Sequence, residues 1–236
     1  MARLTVLSVD GIGEVEPGDD VASLLRAAME RSEIVLVDGD VVVVTHKIVS
    51  KAEGRVVELV DTGPDGHRYL VEDEAAEIVR RRGPLVIART RHGFVCANAG
   101  VDRSNAGPSR AILLPEDPDR SANRIRIRLA RAFGVERLAV IVSDTFGRAW
   151  RRGQTDVAIG VAGMAPINDL RGETDSFGMV LEATEVAVAD ELAAAADLVM
   201  GKASGIPAAV VRGAEWRPGT DGIGPMLRPI DEDFFL

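Results

Sequence analysis

Val6 to Val9 makes a short apolar run that breaks into Asp10-Gly11-Ile12-Gly13, which predicts a strand followed by a flexible turn. Val21, Leu24, Leu25 and Ala28 then recur at helical spacing behind Gly18-Asp19-Asp20, whose carboxylates suit a helix N-terminus. Asp38-Gly39-Asp40 turns the chain into Val41 to Val44, an unbroken β-branched run expected of a strand covered on both faces. The end of that strand delivers Thr45-His46-Lys47. Residues 61–68, rich in glycine, proline and charge, predict an exposed loop, and Val71 to Arg82 reads as a helix. Leu85 to Arg89 and Phe94 to Asn98 predict two strands joined through Arg91-His92-Gly93. Ile125, Leu129, Ala132 and Phe133 set a helix over Ser121 to Phe133, with Gly134 as its stop. The run at 138–143 predicts a buried strand ending in Asp144-Thr145. Further on, Val157 to Ala162 is apolar, an alanine-rich helix covers about 186–200, and Pro207 to Arg212 reads as a last core strand. Strands and helices thus mix without the regular strand–helix unit of a doubly wound sheet, which leaves an α/β or α+β class with the topology open.

Composition narrows the function. A chain of 236 residues is long enough for one large domain or two intimate smaller ones. No apolar stretch approaches the roughly 20 residues that span a bilayer, so a membrane role is not expected. The opening residues enter strand-like sequence without a signal-peptide core, so cytoplasmic residence is the expectation. A net charge of −9 disfavours general nucleic-acid binding, which needs a basic surface. Arg124, Arg126, Arg128 and Arg131 do cluster, but they interleave with Ile125, Ile127 and Leu129 and read as the outer face of a helix. The lone Cys96 has no partner for a disulfide and lies in an apolar context, so it reads as a small buried residue rather than a reactive thiol. His46, His67 and His92 are not spaced as helical metal ligands.

The chemistry-bearing residues fall in three segments. Asp144 at a predicted strand end offers a hard oxygen to a metal ion, Thr145 adds a hydroxyl, and Arg148, Arg151 and Arg152 match phosphate or carboxylate oxygens. Asp102, after the strand at 94–98, is a second hard ligand, and Asn105 supplies both a donor and an acceptor. Lys47 is a compact counter-charge suited to nucleotide phosphates. Read singly, each residue has a plainer explanation: a turn for Asp144 and Asp102, a solvated surface for the arginines and Lys47. Together they point to phosphoryl chemistry in one cleft.

The strings Thr45-His46-Lys47-Ile48-Val49-Ser50-Lys51-Ala52-Glu53-Gly54-Arg55, Asn98-Ala99-Gly100-Val101-Asp102-Arg103-Ser104-Asn105, Asp144-Thr145-Phe146-Gly147-Arg148-Ala149-Trp150-Arg151-Arg152-Gly153 and Thr184-Glu185-Val186-Ala187-Val188-Ala189-Asp190-Glu191 resemble, in order and over nearly the whole chain, the coenzyme F420-0:L-glutamate ligase family. The likeness is strongest to the ligase half of the bacterial two-domain enzymes. It implies an α+β fold with mixed sheets and packed helices, an intertwined homodimer, and a GTP-dependent ligase that adds L-glutamate to F420-0 and extends a γ-linked tail. It also implies Mg2+ or Mn2+, with K+ as a further ion. Carried onto this chain, Asp102 and Asp144 would bind metal and Thr145 would join a second metal. Asn105 and Lys47 would contact GTP, which Asp10, Gly11, Ile12, Gly13, Thr45, His46, Gly201, Lys202, Ala203, Ser204, Gly205 and Ile206 would surround. Lys47 and Arg148 are the catalytic candidates, and Arg151 and Arg152 are candidates for steadying substrate.

Three departures from the family pattern stand out. His46 replaces the serine frequent beside Lys47, and Gly201-Lys202-Ala203-Ser204-Gly205 lacks the acidic character of archaeal relatives. Residues 1–236 also read as a single ligase unit or two intimate subdomains, without the nitroreductase-like domain of the fused enzymes. The rival readings are a non-catalytic nucleotide- or deazaflavin-binding homologue and a metal-dependent phosphohydrolase.

Overall fold

The computed structural model describes residues 3–63 and 65–234. Pro64 of the expected loop and the terminal Met1, Ala2, Phe235 and Leu236 lie outside the described residues. In chain order the elements are β1 (Thr5–Ser8), α1 (Val21–Arg31), β2 (Val41–Thr45), α2 (His46–Ala52), β3 (Val56–Glu58), α3 (Arg68–Glu74), β4 (Ala75–Arg82), β5 (Leu85–Thr90) and β6 (Val95–Ala97). They continue with β7 (Arg110–Ile112), α4 (Pro118–Phe133), β8 (Ala139–Arg148), β9 (Arg151–Ala162), β10 (Asn168–Asp169), β11 (Glu185–Val186), α5 (Val188–Met200) and β12 (Ala208–Arg212).

Five strands form the central sheet in the order β1-β12-β2-β8-β9. β2 and β8 run parallel, and every other neighbouring pair is antiparallel. Successive side chains of a strand face opposite sides, yet Val41–Val44, Ala139–Val142 and Ala208–Val211 are all fully buried. Both faces must therefore be covered. α4 packs on β8 and β9 with α1 against it, and α5 crosses β12, β1 and β9. The chain is thus a mixed α/β protein with mixed sheets and packed helices.

Local chemistry sets the helix ends. Asp117 accepts the Arg120 N–H at 2.9 Å, Pro118 fits the first turn, and Gly134 stops α4 in the left-handed region at φ 68°. Ile125 and Leu129 are buried, while Arg124, Arg128 and Arg131 face solvent as their interleaving predicted. The same helices close the sheet's outer edge. Asp190 of α5 accepts the Ala158 N–H at 2.9 Å, and Asp119 of α4 accepts that of Val161 at 2.7 Å. Burial pushes both carboxyls above their usual range, against the pull of these N–H groups. A strand edge that would otherwise invite another chain is thereby filled.

A second, smaller core gathers Leu59, Leu70, Val71, Val86, Ala88, Val101, Ala111 and Leu113 under the β3–β7 pair and the β4-β5-β6 sheet. Two sequence expectations fail here and in the hairpin. The helix expected over Val71 to Arg82 is a helix only to Glu74. Ala75–Arg82 is strand β4, pairing with β5 from Ala75↔Thr90 to Arg82↔Leu85 across a tight Gly83-Pro84 turn. β-branched Ile78 lies opposite Ala88 of β5, and Val79 falls in a break of the register between Ile78 and Arg80. β8 also does not end at Asp144: it runs on to Arg148, because β9 satisfies its backbone out to Gly147↔Gln154. Among the described residues no helix is long and apolar enough to cross a membrane.

Candidate active site

Because β1, β2 and β8 point the same way and β12 the opposite way, their ends meet along one edge of the sheet. The loop Asp10–Gly13 leaves β1 there, His46 and Lys47 open α2 directly after β2, and the 201–206 loop enters β12. Val9 N–H donates to Ala208 O at 2.9 Å and Thr45 N–H to Pro207 O at 2.9 Å, which fixes these segments side by side. Thr45 pairs in register with Ser143, so Asp144 begins the stretch where β8 passes beyond β2 and keeps only β9 as a partner. Topology thus assembles four segments that are far apart in sequence.

Along this edge, carboxylates are interleaved with hydroxyls and two ammonium groups. Lys47 Nζ lies 2.9 Å from Asp102 Oδ2 and donates to Ser104 Oγ at 2.6 Å. Ser104 in turn donates its backbone N–H to Asp102 Oδ1 at 2.6 Å. Burial pushes the Asp102 carboxyl up, but hydrogen bonds from Lys47 and Ser104 and the Lys47 charge outweigh it and hold the group below its usual range. Next in the chain, the fully buried His46 places Nε2 3.3 Å from Asp144 Oδ1 and Nδ1 3.3 Å from Ser50 Oγ. Thr145 N–H also donates to Asp144 Oδ1, at 2.7 Å. Thr145 Oγ1 donates to Asp156 Oδ1 at 2.7 Å, and Ser143 Oγ donates to Asp156 Oδ2 at 2.9 Å. Lys202 closes the row, 2.6 Å from Asp156 Oδ1 and 2.8 Å from Asp197 Oδ1. Burial lowers the Lys202 pKa, yet the two carboxylates raise it by more and keep it charged.

The residues singled out from sequence therefore divide. Lys47, Asp102, Asp144, Thr145 and Lys202 enter this network, with His46 enclosed behind Asp144. Gly11 holds a left-handed φ of 76°, and its carbonyl accepts Arg31 Nη2 at 2.8 Å, which orders the 10–13 loop. Asn105 is exposed, also at positive φ, in the loop after Asp102. Arg148, Arg151 and Arg152 sit on the exposed tip of the β8–β9 hairpin, where Arg148 Nη2 donates to Arg152 O at 2.8 Å. Sequence reading passed over Asp156, Asp197 and Ser104. Asp156 carried a signal: it is an acid entering the apolar run at Val157, and it pairs with Thr145 once the two strands form a hairpin.

No set of three or more His, Cys, Asp or Glu side chains gathers as a metal cage among the described residues. The donors offered by Asp102 and Asp144 are hard oxygens, which suit Mg2+ or Mn2+ completed by phosphate oxygens and water. Asp144 Oδ2, unlike Oδ1, has no hydrogen-bond partner among the described residues. Cys96 is buried near Asp144; burial first, and that negative charge second, push its thiol up to about 12. It is an inert packing residue, as its context predicted. A separate cleft of about 480 Å³ between α1, α2 and α4 holds none of these residues.

The fold is a mixed-sheet α/β protein whose carboxylates, hydroxyls and two ammonium groups along one sheet edge offer partners to charged ligands. The comparison with known proteins is more specific. The family model for F420-0:gamma-glutamyl ligase matches residues 11–213, and the chain belongs to that family. It is 45% identical over 249 aligned positions to the coenzyme F420:L-glutamate ligase of Methanothermobacter thermautotrophicus, covering 98% of each chain. The enzyme of the same name from Methanopyrus kandleri is 45% identical over 215 positions, covering 85% of this chain and 83% of its own. That of Methanocaldococcus jannaschii is 42% identical over 213 positions, covering 84% and 85%.

Proposed function

We propose that this chain is a ligase that joins L-glutamate to coenzyme F420-0, using GTP, and lengthens the product through further γ-linked glutamates. The observation that carries the reading is the sheet-edge row, in which Lys47 pairs with Asp102, Lys202 pairs with Asp156, and Asp144 and Thr145 lie beside His46 and Asp156, in a chain of this family. A carboxylate is a poor electrophile near neutral pH, so amide formation needs it activated. Transfer of the GTP γ-phosphoryl group to a carboxylate oxygen of F420-0 gives an acyl phosphate and GDP. The glutamate amine then attacks the acyl carbon, loses a proton, and expels inorganic phosphate.

Asp102 and Asp144 are the residues to hold Mg2+ or Mn2+, which when bound neutralises phosphate charge and aligns the transfer. Lys47 reaches the phosphates from the first turn of α2. The 10–13 and 201–206 loops flank the nucleotide, and Asn105 contributes a hydrogen bond from the loop after Asp102. Arg148, Arg151 and Arg152 reach substrate anions from the hairpin. His46 lies behind Asp144, with Nε2 3.3 Å from Oδ1 and not hydrogen-bonded.

The described residues work as one catalytic unit, and two copies pair. Support for pairing comes from apolar side chains left in water on projecting segments: Trp150 at the hairpin tip is 82% exposed and Phe177 91%. Sedimentation of a fully active monomer at assay concentration would overturn the pairing.

The ligase itself is tested by mass spectrometry of a reaction containing F420-0 labelled with oxygen-18 in its carboxylate, L-glutamate, GTP and Mn2+. A ladder of products spaced by one glutamyl unit, with label appearing in inorganic phosphate and not in GDP, is expected. GTP consumption that does not need glutamate would make the chain a phosphohydrolase, and absence of turnover would make it a binding protein. Amide formation with unlabelled phosphate would exclude the acyl phosphate.

A further inference from the structure

The end of the row formed by Lys202 is at odds with the place expected for a second metal ion at Thr145. Lys202 Nζ lies 2.5 Å from Thr145 Oγ1, 2.6 Å from Asp156 Oδ1 and 2.8 Å from Asp197 Oδ1. These oxygens come from separate elements: Thr145 from β8, Asp156 from β9 and Asp197 from the last turn of α5. The Thr145 hydroxyl has both roles filled, donating to Asp156 and accepting from Lys202. Asp156 is only 3% exposed, and its other oxygen already takes Ser143 Oγ, so it has little room to turn elsewhere. Hard oxygens converging from three directions are what a divalent ion asks for, and here they converge on an ammonium. A divalent cation brought onto the same oxygens would meet that ammonium at close range, and like charges at such distances repel strongly.

We propose that Lys202 is a resident cation that takes the place of the second divalent ion, so that each chain of this protein binds a single divalent ion, at Asp144 and Asp102; Lys47 lies against one oxygen of Asp102 and none of Asp144, whereas Lys202 lies against all three oxygens of its set. The proposal rests on the metal reading of those two aspartates. A tethered ammonium gives positive charge beside the nucleotide site at any metal concentration, donating to Thr145 and Asp156 and lying 2.8 Å from Asp197 Oδ1. The lysine lies in the 201–206 loop, so its stem also ties that loop to the β8–β9 hairpin and to the end of α5. Truncating the side chain would vacate an oxygen set made of two carboxylates and a hydroxyl, which a divalent ion could then enter.

The test is a Mn2+ titration of the full-length chain with no nucleotide present, read as loss of the free-ion electron paramagnetic resonance signal. Lys202→Ala and Lys202→Met are titrated alongside the parent, with circular dichroism to check folding. The parent should bind one Mn2+ per chain and both variants two, with the added site abolished when Asp156→Asn is combined with Lys202→Met. Two ions on the parent, or an unchanged stoichiometry of one in both variants, would overturn the proposal while leaving the aspartate site standing. No Mn2+ bound by any of the proteins would remove the aspartate site and this inference together. Should both lysine variants unfold, the parent's stoichiometry still decides, because a count of two sinks the idea.

Discussion

Replacing Lys47 by alanine removes an ammonium that lies 2.9 Å from Asp102 Oδ2 and 2.6 Å from Ser104 Oγ. The two side chains are 20% and 33% exposed, so the pair lies between the surface and buried cases. Coulomb attraction at that distance with an effective dielectric of about 20 is roughly 6 kcal/mol. Loss of hydration by both ions cancels most of it and leaves about 1–2 kcal/mol of net stability. Catalysis should suffer more. An ammonium aimed at charge that develops during phosphoryl transfer is worth about 3–4 kcal/mol, or about 10²–10³ in kcat. Lys47→Ala should therefore lose activity by that factor while KM for F420-0 changes little, and urea denaturation should show only the smaller loss. The pH dependence has a definite sign. Asp102 is held below its ordinary value of 3.8, with burial opposing and Lys47 and Ser104 prevailing. A carboxyl depressed in the folded state stabilises above its unfolded pKa, and that contribution disappears as pH falls through the folded value. The stability gap between the parent and Lys47→Ala should therefore be full above about pH 4 and shrink below it. A kcat within about threefold of the parent at saturating GTP would refute the role given to Lys47. A gap that persists undiminished to the acid limit would refute the pairing with Asp102.

Three further outcomes follow from the fold. Arg212 holds the buried Asp40, whose side chain is 1% exposed, through Nε at 2.8 Å and Nη2 at 2.7 Å, so Arg212→Ala should cost about 3 kcal/mol in urea denaturation. Pairing it with Asp40→Asn should recover part of that loss; strict additivity would show the pair is uncoupled. A Cβ on Gly160 would sit 2.5 Å from the Pro118 backbone, so Gly160→Ala should cost about 1–3 kcal/mol. Gly224→Ala, which meets open space, should cost under about 0.5 kcal/mol, and equal effects would argue against the close α4–β9 approach. Cys96, with its thiol pushed up to about 12, should resist thiol reagents in the native chain at pH 8 and react fully in denaturant. Stoichiometric labelling of the native chain would contradict its burial.

Much of this protein is determined by local pattern. Four consecutive valines at 41–44 can only be satisfied by cover on both faces of a strand, and the Asp117-Pro118 start and Gly134 stop bound α4 whatever surrounds it. Lys47, Asp102 and Asp144 were legible because charged side chains placed directly after apolar runs fall where strands leave a core. What pattern could not supply was pairing. Ala75–Arg82 has helical spacing and becomes a strand only because β5 lies beside it, and β8 outlasts its apolar stretch only because β9 returns along it. Asp156 is an unremarkable acid until that hairpin sets it opposite Thr145, and Lys202 is an ordinary loop lysine until α5 and β12 carry it there. Hydrogen-bond partners in a sheet come from distant sequence, so strand length, and with it every side chain that a strand delivers to the site, is decided by the tertiary structure.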